Sequence, residues 1–170
     1  MDKRQMDNLM RLVARGDGEA FNRLYEGMKR GVFAFAYAYL GNGADAEDAV
    51  QETFLQVKRR AYTYQPGTDA RAWILQIAKN KCLDELRRRK TRAQHEAPMR
   101  EEGVQQSFPL LEEITKCLTD EEKEIVVLHA VWGYKHKEIA KMLQMPLGTV
   151  TWKYNEAIKK LRKNQEEDDA

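Results

Sequence analysis

The chain has 170 residues, 42% of them hydrophobic and 33% charged, with a formal net charge of +2. This is an ordinary soluble composition for one medium domain or two small ones. No apolar run approaches the roughly 20 residues of a membrane span, and the alternating charges of "MDKRQMDNLMRLVARGDG" are unlike a secretory leader, so no membrane insertion and a cytoplasmic location are expected. Cys82 and Cys117 lie far apart without ligand-spaced neighbours, so neither a disulfide framework nor a zinc site is indicated, and no cofactor is expected.

Taken in chain order, the apolar residues recur at helical spacing almost everywhere. A first helix is expected over about Asp2 to Arg15. Asp17 can cap a long second helix bearing Phe21, Leu24, Tyr25, Met28, Val32, Phe35 and Tyr39, which closes near Gly41. After the corner "GNGADAEDAV", a third helix carries Ala46, Val50, Phe54 and Val57. Pro66 and Gly67 force a loop, and Asp69 can cap a fourth helix with Trp73, Ile74, Ile77, Ala78 and Leu86, ending before "RRRKTR". Cys82 shares that helix's apolar stripe, which makes it a core thiol.

Residues 93–106 contain Pro98 and Gly103 without apolar periodicity and read as a flexible linker. Ser107 and Pro109 mark a new helix start, with Leu110, Leu111, Ile114 and Leu118 on its face. "TDEE", from Thr119, fits a capping box opening a helix with Ile125, Val126 and Leu128. The class is all-α: two small helical domains, 1–92 and 107–163, joined by the linker and followed by an acidic tail, 164–170.

The last two helical patterns meet at "LQMP". Ile139, Ala140 and Leu143 lie before the corner; Val150, Tyr154, Ala157, Ile158 and Leu161 follow it, with Pro146 ending one helix or starting the next. This is the helix-turn-helix pattern, whose second helix in DNA-binding proteins usually lies in the major groove, although the same corner also turns helical domains that bind no DNA. Its outer face carries Thr149, Trp152, Lys153, Glu156, Lys159 and Lys160; Trp152 falls about 200° round the helix from Val150 and points away from the core. Residues 1–90 carry 17 Lys/Arg against 12 Asp/Glu and residues 118–163 carry 9 against 6, while the joint and the tail are acidic. Such modest electropositivity suits local phosphate contacts and leaves most of the affinity to a partner.

Three groups stand in order: "DAEDAVQETF", "YTYQPGTDARAWILQIAKNKCLDELRRRK" and "LTDEEKEIVVLHAVWGYKHKEIAKMLQMPLGTVTWKYNEAIKKLRK". Together they resemble the bacterial extracytoplasmic-function sigma factors, over about residues 17–92 and 107–163. The resemblance implies a transcription initiation factor that directs core RNA polymerase to promoter DNA, with an anti-sigma factor as a further partner. By the same resemblance, Asp48, Gln51 and Glu52 dock on the polymerase clamp. The loop and the helix after it melt and hold the minus-ten element, through Tyr62, Tyr64, Gln76, Lys79, Asn80, Asp84, Arg87 and Arg88. Asn80 is the residue matched to an extruded base, whereas Trp73 matches a core position. Lys135, Lys137, Thr149, Trp152, Lys153, Glu156, Lys159 and Lys160 would serve the minus-thirty-five element.

Two departures stand out. "GTVTWK" replaces the family's commoner Gly-Thr-Val-x-Ser-Arg, and lysine cannot make arginine's forked guanine contact. Gln144 occupies a turn position where glycine is common. His95, His129 and His136 are scattered, and no nucleophile triad or phosphate loop is visible, so an enzyme is not expected. The alternative is a helix-turn-helix regulator that binds DNA without polymerase, although the acidic segment and aromatic loop would then have no task.

Overall fold

A computed structural model describes residues 1–95 and 108–169. Among them lie eight α-helices and no strand: α1 (Lys3–Ala14), α2 (Gly18–Leu40), α3 (Gly43–Arg60), α4 (Ala70–His95), α5 (Pro109–Cys117), α6 (Asp120–Ala130), α7 (His136–Leu143) and α8 (Leu147–Asp168). A single 3-10 turn, Ala61–Thr63, leads from α3 into the loop before α4.

Local chemistry sets most of the starts. Asp2 and Gln5 form a reciprocal capping box at 2.8 and 3.0 Å, and the Asp17, Asn42 and Asp69 side chains accept from Ala20, Asp45 and Ala72 at 2.9, 2.8 and 3.1 Å. Thr119 and Glu122 make the box read from "TDEE", satisfying amides that the first helical turn leaves without carbonyl partners. Gly41, at φ 74°, closes α2 in the left-handed conformation that costs glycine little.

Two boundaries differ from the sequence reading. Helix α4 continues through "RRRKTR" to His95, because nothing before Pro98 breaks it and Arg, Lys, Ala and Gln all tolerate a helix; residues 93–95 of the expected linker are therefore helical. Helix α8 runs past Lys163 to Asp168, taking up most of the expected tail, and Asn164 anchors it to Glu113 of α5 at 3.0 Å. The rest of the expected linker and Ser107 lie outside the described residues.

Helices α1–α4 form one unit around Met10, Leu24, Met28, Val32, Phe54, Val57 and Ile74; α5–α8 form a second. The two pack together through α2, which touches α5 and α6. Ile125, Val127, Leu128 and Ile139 join the first unit's apolar core. The Phe108 ring sits 5.0 Å from Phe33 and 5.7 Å from Tyr37, centroid to centroid. Polar ties cross the same boundary. Lys79 meets both Glu124 oxygens at 2.9 and 3.0 Å, and the Tyr134 hydroxyl donates to Asp69, the cap of α4, at 3.2–3.3 Å. Burial, and then the Asp69 charge, push the Tyr134 phenol well above its ordinary range.

Gly31 explains itself at this boundary. A β-carbon there would lie 2.6 Å from the Trp132 ring, so the indole can rest on bare helix backbone. Helix propensity alone makes Gly31→Ala stabilising by about 1 kcal/mol. The collision reverses the sign: we expect a loss of roughly 1–3 kcal/mol from overpacking, read as a melting temperature lowered by several degrees in circular dichroism.

Candidate nucleic-acid interface and docking face

Helix α3 buries Ala46, Ala49, Val50, Thr53, Phe54 and Val57 and leaves the other side to solvent. Phe54 meets Phe21 and Tyr25 edge-on, at 6.4 and 5.0 Å, which fixes the rotation of the helix. Asp48, Gln51 and Glu52 are consequently exposed together, with Lys81 of α4 3.4 Å from Glu52. The same stripe carries Leu55, 52% exposed, a residue the sequence reading passed over. Its signal was available: Leu55 is an apolar side chain one turn beyond Gln51 on a polar face. An exposed leucine beside carboxylates and an amide is a surface suited to a partner helix.

The loop before α4 separates its two tyrosines. Tyr62 projects from the 3-10 turn, 76% exposed, whereas Tyr64 is only 6% exposed. The Tyr64 hydroxyl donates to Asp7 at 2.9 Å and to the Thr68 carbonyl at 3.2 Å, and its ring meets Trp73 edge-on at 5.8 Å. Tyr64 is thus not a stacking surface in this fold; it is a loop anchor, and Trp73 packs with it. Asp7 completes the anchor by accepting from the Gly67 amide at 2.6 Å and pairing with Arg11 at 3.0 Å. The Gly67 bond, followed by Tyr64 and Arg11, outweighs burial and holds the Asp7 carboxyl below its usual value.

On α4, Gln76, Asn80, Asp84 and Arg87 follow one another at steps of four, four and three, all exposed. The Gln76 amide donates to Asn80 at 3.1 Å, orienting its carboxamide, and Arg87 pairs with Asp84 at 3.0 Å. Arg88 is exposed and lies 3.6 Å from Glu85. Lys79 is set apart from this stripe, since Glu124 of the second unit holds its ammonium.

The second unit turns its corner as the sequence pattern suggests. Gln144 takes φ 54°, the left-handed conformation that a non-glycine residue adopts at some cost, while Pro146 stands at the N-cap of α8. Val150 and Ala157 are fully buried; Tyr154, Ile158 and Leu161 are partly so. Lys135 and Lys137 are exposed at the start of α7, Thr149 is half-buried, and Trp152 is 60% exposed. The cations of α8 are less free than their positions suggest. Lys153 pairs with Glu121 at 2.6 Å, Lys159 with Glu156 at 2.8 Å, and Lys160 with Glu122 at 2.8 Å. Glu122 is buried, which would raise its carboxyl, but Lys160 and the Thr119 backbone bring it below the usual value. Lys160 therefore braces α8 against α6. Asn155 went unnoticed in the sequence and is exposed beside Trp152.

His129 and His136 also find their places inside this unit, while His95 is exposed at the end of α4. His129 Nδ1 lies 2.8 Å from the Tyr134 carbonyl and His136 Nδ1 3.2 Å from Thr151 Oγ1; the two rings and Tyr154 stand 4.8 Å apart pairwise. The His136 Nε2 is buried without a partner.

Residues 24–92 match the family model for Sigma-70 region 2, and residues 116–163 that for Sigma-70 region 4. The chain is 33% identical over 144 residues to the ECF RNA polymerase sigma factor SigE of Mycolicibacterium smegmatis, covering 77% of this chain and 56% of that relative. It thus spans little more than half of SigE's length. In fold it is similar to CnrH, solved in complex with the cytosolic domain of CnrY: TM-score 0.71 and 23% identity over 96% of this chain and 99% of the other. The sigma factor RpoE from Bartonella quintana, solved with the anti-sigma factor NepR, matches with TM-score 0.67 and 20% identity over 84% and 94% of the two chains.

Two outcomes follow from the placements. Tyr64→Phe removes a buried hydroxyl from Asp7 and should cost about 1–2 kcal/mol, seen in thermal melting, whereas Tyr62→Ala should leave the melt unchanged. Burial, then the neighbouring His129, hold His136 below the ordinary imidazole value, so the unfolded chain takes up a proton where the folded chain does not. Stability contributed by neutral His136 is complete above pH of about 6.5 and declines as pH falls towards the lower folded value. Melting temperatures measured from pH 7.5 to 5.5 should fall less steeply for His136→Gln than for the parent protein.

Proposed function

The chain belongs to the extracytoplasmic-function sigma factors, and on that premise we propose that it binds core RNA polymerase and directs it to specific promoters, acting by binding and not by turnover. The observation that carries this reading is the coexistence, on one short chain, of three surfaces with different chemistry: the acidic α3 face with Leu55, the α4 stripe with Tyr62, and the outer face of α8.

Each surface suits one step. Asp48, Gln51 and Glu52 offer acceptors to a basic partner, and Leu55 offers the apolar contact that desolvates them. Opening a duplex leaves an unpaired base needing both a stacking partner and polar groups at its edge. Tyr62 supplies the first, and Asn80, oriented by Gln76, the second; Arg87 and Arg88 supply phosphate contacts. Helix α8 then enters the major groove of the upstream element, with Lys135, Lys137 and Lys159 at its flanks.

Lys79 can join the minus-ten contacts only after leaving Glu124, so promoter engagement includes drawing the two units apart. An anti-sigma factor is a fitting regulator of such a chain, since RpoE of Bartonella quintana is solved with one. Among the described residues, no helix is long and apolar enough to cross a membrane, in keeping with a role on cytoplasmic polymerase.

Gel filtration with core polymerase, followed by a transcription assay on promoter fragments, tests the proposal. The expected result is co-elution and initiation at defined start sites. Leu55→Glu should weaken co-elution at least tenfold while leaving the melting temperature unchanged. Tight binding to operator DNA without any association with polymerase would instead make the chain a stand-alone regulator.

A further inference from the structure

Forked guanine contacts in the major groove come from arginine, adenine is matched by the carboxamide of Asn or Gln, and the thymine methyl by an apolar surface. The single arginine of α8 is Arg162, fifteen residues into the helix from Leu147, about 22 Å along the axis at 1.5 Å per residue. The first turns of α8 hold no guanidinium. Their lysine, Lys153, is turned onto Glu121 at 2.6 Å. What faces outward instead is a stripe at steps of four, three and four: Gly148, Trp152, Asn155 and Lys159, all exposed.

The stripe has a coherent chemistry. A β-carbon at Gly148 would meet nothing within 4 Å, so this glycine fills no packing need and lets the helix backbone come close to a groove wall. Trp152 presents a rigid apolar ring to solvent, with the Lys153 ammonium 5.9 Å from its centroid. Among the described residues the Asn155 side chain has no hydrogen-bond partner, so its carboxamide oxygen and nitrogen both face solvent. Residues three apart on a helix have Cβ atoms about 5–6 Å apart, a separation that spans neighbouring base pairs.

We propose that α8 reads A·T pairs in the upstream promoter element, Trp152 packing on the 5-methyl group of a thymine and Asn155 pairing with N6 and N7 of a neighbouring adenine. This rests on the placement of α8 in the major groove proposed above. The replacement of Ser-Arg by Trp-Lys then changes which base is read: the guanine fork is gone, and an aromatic ring and a carboxamide define the site.

The experiment selects promoter DNA from a library randomised upstream, in two arms, the full chain on core polymerase and the full chain alone. Neighbouring A·T pairs should be enriched. In the selected sequence, deoxyuridine for thymidine should weaken binding about fourfold, the worth of one buried methyl, and 7-deazaadenine for adenine roughly three- to tenfold, the worth of one hydrogen bond. Trp152→Ala should lose the response to deoxyuridine while keeping the response to 7-deazaadenine, and Asn155→Ala the reverse. Enrichment of G·C pairs, no upstream enrichment in either arm, or unaltered responses in the variants would overturn the proposal. A·T enrichment by the chain alone, with no binding to polymerase, would uphold it while overturning the initiation role.

Discussion

The fold depends on covering α2. From Gly31 to Leu40 this helix reads "GVFAFAYAYL", apolar at every position, and a helix without a polar face is stable only when neighbours enclose it. Helices α1, α3 and α4 take part of its circumference, and α5 and α6 take another. Phe33 and Tyr37 on one side, and Val32 and Phe35 on the other, are thus satisfied by different parts of the chain. The second unit is a lid on the first as well as a module of its own.

Charge plays a narrower part than the basic stretches suggest. Lys79, Lys153 and Lys160 are each given to a carboxylate on α6, namely Glu124, Glu121 and Glu122. Helix α6 acts as an acidic ridge that orients α4 on one side and α8 on the other. Glu122 and Glu124 are buried, and a buried carboxylate without its cation is costly, so Lys160 and Lys79 are structural first; Glu121, the partner of Lys153, is exposed. Exposed cations such as Lys135 and Lys137 remain outward, but acidic residues nearly balance them over the chain, and a net charge of +2 suits affinity shared with a partner.

Much of this was legible in the sequence because it is local. Caps at Asp17, Asp69 and Thr119, the breaks at Gly41 and Pro146, and the core stripe of α8 are written within a few residues of where they act. What stayed hidden depends on distant partners. Tyr64 and Tyr62 are equivalent by pattern and differ because Asp7, 57 residues earlier, claims one hydroxyl while Trp73 packs on its ring. Lys160 looks outward until Glu122, 38 residues before it, is placed beneath. Helix α2 is apolar all round over "FAFAYAYL", but nothing local names the element that covers its far side. Leu55 and Asn155 are uncharged and lie between the positions that match the family's motifs, so their exposure in the folded chain is what marks them as candidate contact residues.

The contact between Lys79 and Glu124 has a thermodynamic consequence. A carboxylate tethered beside the ammonium acts as a built-in rival ligand, present at an effective concentration that no dilution lowers. In the proposed promoter complex, phosphate would reach Lys79 only during the fraction of time this rival has let go, and apparent affinity would be scaled down by that fraction. On the proposed function, whatever holds α6 elsewhere would therefore tighten the chain's grip on nucleic acid without touching it.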